Sequence, residues 1–152
     1  MEKISNEQWT EIEETLKHQY GRIEFTHGER EIVVARVPTN EGKSNIVVFI
    51  DGNMNFSWGR PPIEGMFDNA DFKPEIIPYW RKRSKALYSA KDKKEVIGLW
   101  GKRRAYKKYP DLDNRYEWYD PMFTTAKSLV SQFKKLEGLQ LVPKEEFVEG
   151  GA

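Results

Sequence analysis

The residues best placed to do chemistry lie between Tyr79 and Tyr109. Arg81, Lys82, Arg83 and Lys85 occur with Tyr79, Trp80 and Tyr88, and a second cluster of Lys102, Arg103, Arg104, Lys107 and Lys108 occurs with Tyr106 and Tyr109. Cations at this density attract phosphate through a term blind to base sequence. Aromatic faces among them can stack on unpaired bases. The combination points to a surface for nucleic acid or a nucleoprotein complex. Charge distribution supports this, because Arg81 to Lys108 holds twelve Lys/Arg against two acids, Asp92 and Glu95. The rest of the chain has 13 basic and 22 acidic residues, so the overall charge of +1 hides a strong asymmetry. A plainer account is that helices need solvated faces and Lys/Arg are good helix formers. On that account the acids pair with these cations internally, and Trp80 and Trp100 act as core anchors.

Other chemistries find less support. Asp111, Asp113, Glu117 and Asp120 cluster in PDLDNRYEWYDP. A metal-dependent nuclease needs several carboxylates converging on one magnesium ion, commonly with a lysine nearby. Pro110-Asp111 supplies the opening of such a motif, yet no acid-x-Lys element follows at a workable distance, and Asp120 is expected to cap a helix. His18 and His27 are the only histidines. The first suits a helix C-terminus, where a cation favours the dipole, the second suits a turn, and neither has triad partners. With no cysteine there is no thiolate nucleophile, disulfide or zinc–thiolate site. Phosphate-cradling GxGxxG and GxxxxGK loops are absent from the sequence. No catalytic residue, metal or cofactor is therefore expected, and the chain reads as a binder and not an enzyme.

The stretch LYSAKDKKEVIGLWGKRRAYKKYPDLD, followed by YEWYDP, resembles small uncharacterised accessory proteins of temperate bacteriophages and prophages. The likeness rests on Tyr88-Ser89-Ala90-Lys91, Gly101-Lys102-Arg103, Tyr109-Pro110-Asp111-Leu112 and Tyr119-Asp120-Pro121, with the opening SNEQWTEIEETL also similar. It brings no catalytic residues. It implies a phage or mobile-element setting, in which binding to nucleic-acid machinery, or inhibiting a host defence complex in the manner of anti-CRISPR proteins, is a common role.

The elements that must position these residues are legible in part. Residues 5–20 predict a helix, with Ser5 and Gln8 as a capping box and Ile4 with Trp9 as a hydrophobic staple. Trp9, Ile12, Leu16 and Tyr20 form its apolar stripe, and Gly21 is expected to end it in the left-handed conformation. Four strands are then predicted as an antiparallel meander: residues 22–26, 31–37, 44–50 and 53–58. Asp51-Gly52 is the turn between the last two, with Met54, Phe56 and Trp58 on one buried face. Residues 59–75 predict a long loop, and PYWRKRSKALYS reads as either a short helix or an extended segment. Ser89 should cap a helix with Asp92 at its third position and Val96, Ile97 and Trp100 facing inward. KRRAYKKY then forms a second short helix set at an angle. Asp120-Pro121 should start a last helix, with Phe123, Ala126, Val130, Phe133 and Leu136 as its stripe and Gly138 as its end.

The expectation is thus an α+β fold: an N-terminal helix, a four-stranded meander and about three helices packed on the sheet. A single domain is expected over residues 1–142, with a mobile tail over 143–152. The opening residues lack a secretion pattern, and the longest apolar run, Ile46–Ile50, is far short of a membrane span. A cytoplasmic protein is expected. Three functions stand in order. The first is an accessory protein gripping nucleic acid or a nucleoprotein through Arg81, Lys82, Arg83, Lys85, Lys102, Arg103, Arg104, Tyr106, Lys107 and Lys108. The second is a protein–protein inhibitor of a host enzyme, docking by its acidic first helix or the 59–75 loop. The third is a metal-dependent nuclease.

Overall fold

The first helix forms where its local signals are strongest. In the computed structural model, which describes residues 3–39 and 42–143, α1 spans Asn6–Lys17. Its capping box is complete: the Gln8 amide donates to Ser5 Oγ at 3.1 Å and the Ser5 amide donates to Gln8 Oε1 at 2.8 Å. Trp9, Ile12 and Leu16 are buried, but Tyr20 lies beyond the helix and is 84% exposed. The helix stops at His18, which is extended, so Gly21 is not a left-handed cap. Glycine is needed there for room, because a Cβ would lie 2.0 Å from the Thr15 carbonyl oxygen.

A five-stranded antiparallel sheet comes next in the chain. Its strands are β1 (Arg22–His27), β2 (Arg30–Pro38), β3 (Ser44–Ile50), β6 (Met122–Phe123) and β7 (Leu139–Leu141). They lie in the order β6-β3-β2-β1-β7. Alternate residues Ile23 and Phe25, Ile32 and Val34, and Ile46, Val48 and Ile50 form one continuous core with α1 and α4 (Ala126–Phe133). Phe25 links the two helices through that core, 6.0 Å from the Trp9 ring and edge-on to Phe133 at 5.5 Å. His27, expected in a turn, closes β1 and bonds Tyr79 Oη and, at 2.7 Å, the Glu137 carbonyl.

Three strands of the expected meander are present, and the fourth is not. Asp51 and Gly52 do form the tight turn, with φ of 51° and 82°, and Ile50 and Asn53 exchange both backbone bonds. The chain then leaves the sheet, because the edge of β3 is taken by β6 through Ile46↔Phe123 and Val47↔Met122. Residues 56–59 make a 3-10 turn instead, begun by the Asn55 side chain accepting from the Ser57 amide. Met54 and Trp58 turn toward the core while Phe56 is 46% exposed, so the expected shared face is wrong. Asp51 also accepts from the Glu31 amide through Oδ1 at 2.9 Å. Asp51→Ala loses that bond and the tolerance of positive φ together, and should cost about 1–2 kcal/mol in urea unfolding.

The last helix also begins later than expected. Pro121 gives its carbonyl to the Val48 amide at 2.9 Å, Phe123 is buried in β6, and α4 starts after Thr125, whose Oγ1 accepts from the Ser128 amide. Ala126, Leu129, Val130 and Phe133 supply its buried stripe. The chain is therefore α+β with an N-terminal helix, a five-stranded antiparallel sheet and several helices. The expected tail lies, from residue 144 on, outside the described residues. Among those described, no helix is long and apolar enough to cross a membrane.

Candidate functional site

The basic segment is a single excursion from the core. Residues 74–79 form a 3-10 turn, then β4 (Arg81–Ala86) leaves and β5 (Arg115–Asp120) returns as a two-stranded antiparallel ribbon. Between them lie α2 (Ala90–Trp100) and α3 (Lys102–Lys108), which form the ribbon's tip. The base is held by Trp80, which is fully buried and stacks on Trp58 at 6.2 Å. Gln132 of α4 donates to the Trp80 carbonyl at 2.7 Å and to the Pro78 carbonyl at 3.0 Å. Gly59 lets the backbones meet there, since a Cβ would lie 2.0 Å from the Tyr119 carbonyl oxygen.

On the ribbon, the sequence-nominated cations are largely engaged. Asp120 meets Arg83 at 3.1 Å and Arg81 at 3.6 Å, and Lys82 meets Glu117 at 2.9 Å. Asp120 is therefore not a helix cap; its second oxygen accepts from the Met122 amide. Register places Arg81, Arg83 and Lys85 on one ribbon face with Asp120, Trp118 and Tyr116. Arg83 and Lys85 lie over the Trp118 ring at 5.2 and 5.7 Å.

At the tip the cations are less committed. Ser89 caps α2 by accepting from the Asp92 amide at 3.0 Å, as expected. Gly101, with φ 78°, breaks the helix and lets α3 turn away. The inward face expected for α2 is only half realised: Val96 and Ile97 are half-buried, whereas Trp100 is 41% and Leu99 81% exposed. Ala105 and Leu112 are buried at the centre of the tip, beside the edge-on pair Tyr88–Tyr109. Helical spacing puts Arg103 and Lys107 opposite Ala105, with Arg104 and Lys108 on one flank. All five α3 cations are exposed, and Lys108 Nζ sits 3.8 Å from the centre of the Trp100 ring.

Two of the acids nearby, Asp111 and Asp113, are occupied elsewhere. Asp111 accepts from Tyr88 Oη at 3.1 Å, and Asp113 takes Lys93 together with Tyr106 Oη at 3.1 Å. The Lys93 hydrogen bond holds the Asp113 carboxyl below its ordinary range. Tyr106 therefore orients an acid, and its ring is half-buried. Among the described residues, Arg103, Arg104 and Lys107 have neither an ion pair nor a hydrogen bond from their side chains. Among the same residues, no three His, Asp or Glu side chains gather as a metal site would require.

Two contributors were missed by sequence reasoning. Trp118 stands among the acids clustered in PDLDNRYEWYDP, although Tyr116-Glu117-Trp118-Tyr119 has the aromatic content of a strand. Arg60 lies far upstream, and its approach to within 5.8 Å of the Trp118 ring has no sequence signal. Comparison with known proteins adds nothing to this geometry: no family model, curated protein or solved structure matches the chain.

Proposed function

We propose that the chain is a non-catalytic accessory protein that grips a nucleic acid, bare or within a nucleoprotein complex, through α3 and the adjoining Trp100. The observation that carries this reading is the exposed set Arg103, Arg104 and Lys107, unpaired among the described residues, on a tip where Asp111 and Asp113 are already engaged and cations outnumber acids. Holding like charges together without counter-charges costs stability, and a polyanion offsets that cost when it binds. The phage-like segments spanning Tyr88 to Pro121 support a phage or mobile-element setting and a cytoplasmic partner.

A gel-shift with single-stranded and duplex DNA and RNA at two salt concentrations tests it. Binding should weaken steeply with salt, the log–log slope counting phosphate contacts at about 0.9 each on duplex. Failure to bind any of these at low salt would remove the reading. The protein–protein alternative draws on one feature, the exposed Met66 and Phe67 at the turn of the 59–75 loop, at 54% and 42%. Loss of host-complex binding in Met66→Ser/Phe67→Ser, with oligonucleotide binding absent in the wild type, would favour it.

A further inference from the structure

Three cations from two separate stretches of chain converge on one indole. Arg60, Arg83 and Lys85 lie 5.8, 5.2 and 5.7 Å from the Trp118 ring centre. Each gains from the ring's negative face, yet each repels the others. Counter-charge is scarce: Asp120 serves Arg83 and Arg81 together, and no ion pair involves Arg60 or Lys85 among the described residues. Glu64 and Asp68 are exposed in the adjoining loop and, among the described residues, form no ion pair with the three.

The cluster is rigidly built. Arg60 follows the 3-10 turn at 56–59, and its carbonyl accepts from Asn69 Nδ2 at 2.8 Å, while the same nitrogen donates to the Ser57 carbonyl at 2.7 Å. Tyr116 Oη donates to the Pro61 carbonyl at 2.9 Å, and Phe67 packs edge-on to Tyr116. The loop is thereby stapled to β5, and Arg60 is held beside the ribbon face. Arg83 already gives one guanidinium nitrogen to Asp120, whereas Arg60, with no ion pair among the described residues, keeps its in-plane N–H edge open for a phosphate oxygen pair.

We propose that Arg60, Arg83 and Lys85 around Trp118 form a second phosphate-binding point, one that takes a backbone phosphate of the same nucleic acid held by α3. This rests on the proposed nucleic-acid role of α3 and extends it. The polymer spans tip and ribbon, and Arg60 belongs to its footprint although it lies outside the basic segment. The indole holds the cations in place and does not stack on a base, since its surroundings are already occupied by them.

The test measures oligonucleotide affinity against salt for wild type, Arg60→Ala, Lys85→Ala and the double variant Arg103→Ala/Lys107→Ala. Inorganic pyrophosphate is added in a parallel competition to separate a general phosphate site from a polymer contact. Arg60→Ala and Lys85→Ala should each weaken binding several-fold and lower the salt slope by about 0.7 on single strands or 0.9 on duplex, with melting unchanged. Unchanged affinity and slope in both, with the α3 variant impaired, overturns the second point and leaves the first. Impairment by Arg60→Ala with a silent α3 variant does the reverse. Pyrophosphate that displaces the oligonucleotide from wild type as readily as from Arg60→Ala counts against a site at Trp118.

Discussion

Alanine at Trp80 is expected to destabilise the fold by about 3–5 kcal/mol, the range for deleting a large buried aromatic ring. The side chain is fully buried, lies against Trp58 and the Gly59 backbone, and sits where the 3-10 turn at 74–79 becomes β4. Urea unfolding checks the magnitude. Trp80→Phe should cost clearly less, since it keeps a ring and drops an indole N–H that has no acceptor among the described residues. A Trp80→Ala variant as stable as the wild type would mean that the ribbon base contributes little to the core.

Replacing Arg103 and Lys107 together should produce the largest functional loss. Each phosphate contact on duplex contributes a factor that scales as salt to the power of about −0.9, roughly eightfold at 0.1 M. Two contacts give roughly sixtyfold, with the slope reduced by about 1.8. Stability should hold, because both side chains point away from buried Ala105 and neither has an ion pair among the described residues. Had Asp111 or Asp113 been their partners, the same substitutions would lower the melting temperature and leave affinity alone. Melting and affinity measured on one preparation tell these apart.

The features legible in the sequence are those decided locally. Ser5 with Gln8 and Ser89 with Asp92 mark helix starts because a cap involves only residues three apart. Asp51-Gly52 likewise marks its turn, but a turn does not determine where the chain goes after it. The edge of β3 goes to Met122 and Phe123, far downstream, and no pattern around Met54 or Phe56 carries that information. The same competition delays α4: Asp120-Pro121 has the form of a helix start, yet those residues are drawn into strand pairing and into the ion pairs of Arg81 and Arg83. The cluster of cations was visible as composition. Its division into engaged ribbon residues and uncommitted α3 residues depends on which acids fold back, and that is a tertiary outcome.

The ribbon also separates charge in space. Six residues per strand at about 3.3 Å each make an arm of roughly 20 Å between the core and α3. α2 and α3 carry eight Lys/Arg against two acids, whereas α1, packed on the core, carries Glu7, Glu11, Glu13 and Glu14 against Lys17. The tip is thus a concentrated positive charge set away from the core, and a polyanion's field draws it forward before contact. Encounters should be oriented as well as accelerated at low ionic strength.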